Sequence, residues 1–166
     1  DFGDLEHHAL TLLYGRGLTG PTVAAREISA RYAEVMVDEY QDTNAVQDQI
    51  FTAVSTGGTH LFMVGDVKQS IYRFRMADPG IFLKKYRTFQ DYTPGVTGAA
   101  RFFLSDNFRS QPTVLDAANH VFSTVMSETV GDLNYTERER LRPGTVHPVI
   151  PEPCVELHCL QTAADE

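Results

Sequence analysis

The alternation of apolar and polar positions divides the chain into helical and extended segments. Apolar residues at helical spacing predict amphipathic helices, and short uninterrupted apolar runs predict buried strands. We predict helices over residues 4–14, 21–33, 44–56, 79–89 and 111–126. We predict strands over residues 35–37, 61–64, 101–104 and 155–159. A strand, a helix and a strand in succession predict an α/β fold with a parallel sheet.

Two of these predicted strands end abruptly in acidic and amide residues. The run at 35–37 leads into Asp38 and Glu39, and the run at 61–64 leads into the polar segment 65–70. This pattern is typical of a buried parallel strand that delivers polar side chains to its carboxyl end, where open α/β sheets bind ligands. The two segments therefore predict a shared ligand site.

Asp38 and Glu39 are the first candidates for chemistry at that site. Adjacent residues of a strand point in opposite directions, so the two carboxylates can serve two roles. One can hold Mg²⁺, which prefers oxygen ligands, and the other can orient or deprotonate an attacking water. A solvated loop is the alternative. The continuation through Asp42 to a helix cap at Thr43 or Asn44 favours the functional interpretation.

Gln69 is followed by a short loop of aromatic and basic residues, namely Tyr72, Arg73, Phe74 and Arg75. A neutral amide both donates and accepts hydrogen bonds, which suits a sensor of a γ-phosphate. Aromatic rings stack on bases of any sequence, which suits a protein that moves along single-stranded DNA. The alternative is that the two rings belong to the core.

The two polar strand ends resemble motifs II and III of the superfamily 1 DNA helicases of the UvrD/Rep type. The resemblance implies a partial RecA-like parallel sheet with flanking helices that binds ATP and Mg²⁺. It implies that Asp38 is associated with Mg²⁺, that Glu39 is the catalytic base and that Gln69 senses the γ-phosphate. It also implies that the loop at 72–75 contacts DNA.

The segment 107–110, Asn-Phe-Arg-Ser, resembles motif IV of the same family, at the start of a second motor domain. The resemblance implies that Phe108 packs on adenine. It also implies that Arg109 reaches the γ-phosphate as an arginine finger, because a planar guanidinium stabilises charge developing on a transferred phosphoryl group. We therefore expect residues 1–95 to be the second half of the first motor domain. Residues 96–166 are expected to begin the second, with a proline-rich linker and a terminal strand.

Lys68 narrows the resemblance, because related motors of the UvrD and PcrA type commonly carry an aspartate there. The sequence Gly-Asp-Val-Lys-Gln at 65–69 is similar to the RecB and AddA branch, the nuclease-coupled motors, as are segments 1–7, 76–82 and 126–135. This similarity implies 3′→5′ unwinding from double-stranded DNA ends in recombination and break repair. It further implies a nuclease domain outside these residues and an AddB-like partner protein.

The phosphate-cradling Gly-x-x-x-x-Gly-Lys-Ser/Thr sequence does not occur, and neither does any Gly-Lys dipeptide. That loop supplies much of the binding energy for a triphosphate in such motors. We therefore interpret the chain as a fragment of a larger motor, and we expect the isolated chain not to hydrolyse ATP.

The composition adds few constraints, with 42% hydrophobic residues and a net charge of −8. So acidic a chain is not expected to wrap DNA through bulk electrostatics. No apolar run approaches the roughly 20 residues of a membrane span, so no membrane association is expected. Cys154 and Cys159 are expected to be free thiols of a cytoplasmic protein. The six histidines match no metal-ligand spacing.

Three alternatives remain open from the sequence. One is a UvrD-like or PcrA-like repair helicase without a nuclease. A second is a metal nuclease that uses Asp38, Glu39 and Asp42 as ligands. The third is an interaction module without chemistry of its own.

Overall fold

The computed structural model describes residues 1–17, 20–70, 77–131, 133–148 and 155–160. The chain divides into two compact units, Asp1–Phe102 and Phe103–Glu166. Each unit is a distinct body with its own secondary structure. The assignment of the units to two motor domains, with a boundary after residue 95, stays a prediction.

The first unit alternates helices with short strands, as the sequence pattern predicts. Its helices are α1 (Phe2–Tyr14), α2 (Val23–Ser29), α3 (Ala45–Val54) and α4 (Pro79–Thr88). Its strands are β1 (Val35–Val37), β2 (Leu61–Met63), β3 (Gln90–Asp91) and β4 (Ala100–Arg101). Strand β1 pairs with β2 in parallel, and β3 pairs with β4 in parallel. The predicted α/β class with parallel strands is confirmed.

Two predicted elements are shorter than their apolar patterns indicate. Helix α2 begins after Thr22, whose hydroxyl accepts from the Ala25 N–H at 3.2 Å, so Pro21 precedes the cap. The helix ends at Ser29 rather than Ala33, because the Arg31 N–H bonds back by only three residues, to the Ile28 carbonyl. The strand predicted at 101–104 is confined to Ala100–Arg101, where it pairs with Gln90–Asp91.

The core of the first unit lies where α1, α2 and α3 meet. Leu13, Ala25 and Ala53 are its buried centre, and four partly buried apolar residues surround them: Tyr14, Ile28, Ile50 and Val54. Asn44 begins α3 with a capping box, since its side chain accepts from the Gln47 N–H at 2.8 Å. The cap fixes where the chain turns from the end of β1 into α3.

The second unit contains β5 (Asp106–Asn107), α5 (Pro112–Val125), α6 (Glu128–Gly131) and β6 (Arg142–Pro143). Strands β5 and β6 pair in parallel. The strand predicted at 155–159 is wrong, because residues 155–160 have no regular secondary structure. A strand needs a neighbour for its backbone hydrogen bonds, and none of the described segments pairs with this one. No helix in the described ranges is long and apolar enough to cross a membrane.

Asn119, which is 2% exposed, ties α5 to the segment that precedes β6. Its Nδ2 donates to the Leu141 carbonyl at 2.9 Å, and its Oδ1 accepts from the Leu141 N–H at 2.9 Å. The same oxygen accepts from the Tyr135 hydroxyl at 2.5 Å. This buried amide therefore satisfies two backbone groups and a phenol that water does not reach.

We predict that Asn119→Ala lowers the free energy of unfolding by about 2–4 kcal/mol, because it leaves buried polar groups without partners. Urea denaturation followed by circular dichroism measures this loss. Asn134→Ala is the matched control, since Asn134 is exposed and accepts from one N–H at 3.2 Å. Equal losses for the two variants would contradict the role given to Asn119.

Candidate active site

The polar residues that follow β1 and β2 lie at one edge of the sheet. Backbone pairing continues beyond the strands, with the Val64 N–H donating to the Val37 carbonyl at 2.9 Å and the Tyr40 N–H donating to the Val64 carbonyl at 2.8 Å. This pairing brings Asp38 and Glu39 beside the segment that begins at Gly65. The carboxyl edge of a parallel pair is where α/β proteins bind ligands.

Glu39 leaves the strand conformation, with φ at 50° and ψ at 42°, in the left-handed region that residues other than glycine seldom occupy. Its N–H donates to Asp38 Oδ1 at 2.9 Å. The alternation of side chains along a strand therefore does not extend to Glu39. The separation of the two carboxylates comes instead from this turn, and such backbone strain is often found at functional sites.

Tyr40 anchors the turn by complete burial, with 0% of its surface exposed. Its ring packs against those of Phe51 and Phe82, with centroids 6.1 Å and 5.9 Å away. Its hydroxyl donates to Asp48 Oδ1 at 2.5 Å, and the Lys85 Nζ lies 3.0 Å from the same oxygen. Burial and the neighbouring Asp48 raise the pKa of Tyr40 above its usual range, so the phenol remains a donor.

A cleft of about 470 Å³ opens beside the two carboxylates. Its lining is acidic on one side and apolar on the other: Glu6, Val37, Asp38, Glu39, Asp42, Thr43, Gln47, Ile50 and Phe51. Within the described residues, no three His, Cys, Asp or Glu side chains are grouped to hold a metal ion. The nuclease alternative with three protein ligands therefore gains no structural support. One or two carboxylates together with phosphate oxygens and water suit Mg²⁺.

Asp42 has an unusual environment in this cleft. Its Oδ1 is buried and has no hydrogen-bond partner. Burial raises the pKa of the Asp42 carboxyl, and the negative charge of Glu39 raises it further. Both effects make the ionised form of Asp42 unfavourable in the folded protein.

Asp66 organises the end of β2, and the sequence pattern did not single it out. Its carboxylate accepts from the Lys68 N–H at 3.1 Å and lies 2.7 Å from Lys68 Nζ. Its second oxygen accepts from Gln69 Nε2 at 3.1 Å. Lys68 and Gln69 are thus both held by one carboxylate in the 3₁₀ turn Val67–Gln69.

Gln41 was also missed by sequence reasoning, although it connects the two strand ends. Its Nε2 donates to Glu39 Oε2 at 2.7 Å. Its Oε1 accepts from the Asp66 N–H at 2.9 Å. The presence of an amide between two acidic motifs was the available signal. Its partners depend on how β1 and β2 pair, which composition does not specify.

Phe108 and Arg109 belong to the second unit, and both are exposed. The ring of Phe108 lies directly against Gly144, where an added Cβ would be 2.7 Å from Phe108 Cε1. Asn107 Oδ1 accepts from the Arg109 N–H at 3.0 Å and so fixes the turn. Tyr72, Arg73, Phe74 and Arg75, predicted to contact DNA, lie outside the described residues. Cys159 is exposed and free, and Cys154 is likewise outside the described residues.

The arrangement of these strand ends agrees with comparisons to known proteins. Residues 1–90 match the family model described as the UvrD/REP helicase N-terminal domain. The chain belongs to the UvrD/REP helicase family. The resemblance inferred from the strand ends is confirmed by this match.

Several curated relatives are named as the AddA-type subunit of an ATP-dependent helicase/nuclease. The Desulfitobacterium hafniense protein is 52% identical over 149 residues, 87% of this chain and 11% of its own length. The Pelotomaculum thermopropionicum protein is 46% identical over 97% of the chain and 14% of its own length. The Bacillus cereus protein is 43% identical over 100% of the chain and 14% of its own length. The chain therefore spans a small part of the relatives it matches.

We predict that Asp42→Asn raises the melting temperature at neutral pH, by a stabilisation of about 1 kcal/mol or less. The folded-state pKa of Asp42 is raised, so its ionised form destabilises the fold above that pKa. The gain should disappear as the pH falls and the carboxyl becomes protonated in both states.

Thermal unfolding at neutral and at acidic pH tests this sign. Asp116→Asn, at an exposed position in the second unit, is the control for loss of one negative charge. A gain that persists unchanged at acidic pH would show that ionisation of Asp42 is not the cause.

Proposed function

We propose that this chain is the part of an AddA-type ATP-dependent DNA helicase/nuclease that carries motifs II, III and IV. The observation that carries the proposal is the joining of Glu39 and Asp66 by Gln41 at the sheet edge of a UvrD/REP helicase domain. The names of relatives at 43–52% identity support the AddA assignment. The coupling of ATP hydrolysis to translocation along single-stranded DNA is the corresponding activity.

Asp38 and Glu39 carry the hydrolytic chemistry in this proposal. Asp38 would hold Mg²⁺, and its place on the acidic side of the cleft fits a hard cation that takes oxygen ligands. Mg²⁺ supplies positive charge that neutralises the phosphates. Glu39 acts as the base that orients or deprotonates the attacking water, and the hydrogen bond from Gln41 supports a fixed carboxylate.

Gln69 and the loop that follows it connect the nucleotide to DNA. The Gln69 amide is held by Asp66 through one of its donors, and its oxygen stays able to accept from water or a protonated group. Tyr72 and Phe74 stack on bases, and Arg73 and Arg75 contact phosphates. Stacking tolerates any sequence, as a translocating motor requires.

Phe108 and Arg109 contact the nucleotide from the second motor domain. Exposure of the Phe108 ring, with Gly144 behind it, favours a platform for adenine. Arg109 is exposed and its charge is permanent, which suits stabilisation of the transferred phosphoryl group.

The complete protein acts with an AddB-like partner on double-stranded DNA ends, with 3′→5′ polarity, in break repair and recombination in the cytoplasm. A UvrD-like helicase without nuclease is the competing function. Incubating the full-length protein with end-labelled single-stranded DNA and Mg²⁺ separates the two. Cleavage supports the AddA assignment, and unwinding without cleavage supports the competitor.

We predict that Glu39→Gln in the full-length protein lowers ATP turnover by roughly 10²–10⁴-fold while ATP binding persists, because size and hydrogen bonding stay and the base is lost. Asp38→Asn should instead weaken Mg²⁺-dependent nucleotide binding. Steady-state turnover and equilibrium nucleotide binding give the two readouts. Equal loss of affinity in both variants, without slower chemistry, would refute these roles.

We predict that Phe74→Ala weakens single-stranded DNA binding by about 1–3 kcal/mol, the contribution of one stacked base. DNA-stimulated ATPase should fall with it, while basal ATP binding persists. Fluorescence anisotropy with labelled oligonucleotides measures the affinity. A variant with unchanged DNA affinity and a lower melting temperature would identify the ring as core.

We predict that Arg109→Ala has the opposite pattern, sparing DNA affinity while lowering hydrolysis by roughly 10³-fold or more, since the guanidinium acts on transition-state charge. The same anisotropy and turnover assays distinguish it from Phe74→Ala. Loss of DNA affinity in Arg109→Ala would contradict the assignment.

A further inference from the structure

Gln41 lies between the two polar strand ends and is 1% exposed. Its amide faces two partners of opposite kind, the Glu39 carboxylate and the Asp66 N–H. A carboxylate accepts and a backbone N–H donates, so the amide has one orientation that satisfies both. A glutamate or a methionine of similar length satisfies neither arrangement in full. The chemistry of the position therefore selects glutamine.

Gly65 provides the space that this amide occupies. An added Cβ at Gly65 would lie 2.6 Å from Gln41 Oε1 and 3.2 Å from Phe82 Cε1. Gly65 is not among the residues with positive φ, so close approach and not backbone conformation requires the glycine. The backbone at the start of motif III is thus in direct contact with the amide from motif II.

The connection continues from Asp66 into the turn that carries Gln69. The Asp66 N–H donates to Gln41, while the Asp66 carboxylate accepts from Gln69 Nε2 at 3.1 Å. The series Glu39, Gln41, Asp66 and Gln69 is therefore continuous through hydrogen bonds and one residue's covalent frame. Both ends of the series are residues with proposed roles in hydrolysis.

We propose that Gln41 is a positioning residue that fixes the Glu39 carboxylate for water activation and links its orientation to the turn Val67–Gln69. The proposal rests on the assignment of Glu39 as the base. A free glutamate side chain rotates about several bonds, whereas a hydrogen bond from a buried amide restricts the carboxylate to one orientation. Misplacement of a reacting group by about 1 Å can cost roughly 10²-fold in rate, so restriction of this kind affects turnover more than binding.

The test uses the full-length helicase/nuclease that carries this segment. Gln41→Met keeps approximate length and removes both hydrogen bonds. We expect kcat for DNA-stimulated ATP hydrolysis to fall roughly 10–100-fold, with the Kd for Mg-ATP changed by less than about twofold. Gln49→Met is the matched control, because Gln49 is exposed on the neighbouring helix α3. A weakened Kd with unchanged kcat would overturn the proposal.

A double-mutant cycle with Glu39→Gln separates positioning from general support of the fold. If Gln41 acts through Glu39, Gln41→Met should lower kcat by less than about twofold once Glu39→Gln is present. Losses that multiply fully would overturn the role of Gln41 and leave the base assignment intact. An unchanged kcat in Glu39→Gln alone would overturn the base assignment and the positioning role together.

Hydrogen exchange gives a readout that does not depend on activity. The Asp66 amide donates to Gln41, so a peptide containing residues 65–70 should exchange faster in Gln41→Met and unchanged in Gln49→Met. Gly65→Ala provides a second variant, since its Cβ displaces the amide while Gln41 is retained, and it should reproduce the loss of kcat. Unchanged exchange in Gln41→Met would overturn the link to motif III.

Discussion

The burial of Tyr40 is the constraint on which the geometry of the site depends. With the Tyr40 ring enclosed by Phe51 and Phe82 and its hydroxyl bonded to Asp48, the chain cannot continue as a strand beyond Asp38. Glu39 therefore takes the left-handed conformation and remains exposed at the cleft, while Gln41 enters the interior. A left-handed residue other than glycine costs on the order of 1 kcal/mol, which aromatic burial readily offsets.

The elements that the sequence predicted are those fixed by local chemistry. The apolar runs that became β1 and β2 stop at polar residues, and the Asn44 cap marks the start of α3. Such signals need no knowledge of distant contacts, because periodicity and capping act within a few residues. The positions of Asp38 and Glu39 at the carboxyl edge followed from the parallel pairing that these runs predict.

The features that the sequence did not reveal depend on tertiary contacts. Gln41 has its role because the Asp66 backbone lies next to it, and that proximity arises from the pairing of β1 with β2. The left-handed turn at Glu39 depends on where Tyr40 is buried. The alternation at 155–159 suggested a strand, but alternation does not supply a pairing partner, and the described part of the chain provides none there.

The charge of the cleft explains how the labour of nucleotide hydrolysis is divided. Its described lining includes Glu6, Asp38, Glu39 and Asp42 and contains no lysine or arginine. The raised pKa of Asp42 reflects burial first and the proximity of Glu39 second. A polyphosphate is repelled by such a surface unless a cation lies between them. The sheet edge can thus supply a base and a metal ligand, while attraction for phosphate has to come from Mg²⁺ and from basic groups beyond this lining. A carboxylate kept ionised for base catalysis is compatible with phosphate when these opposing charges arrive together, and that requirement makes hydrolysis dependent on assembly of the complete site.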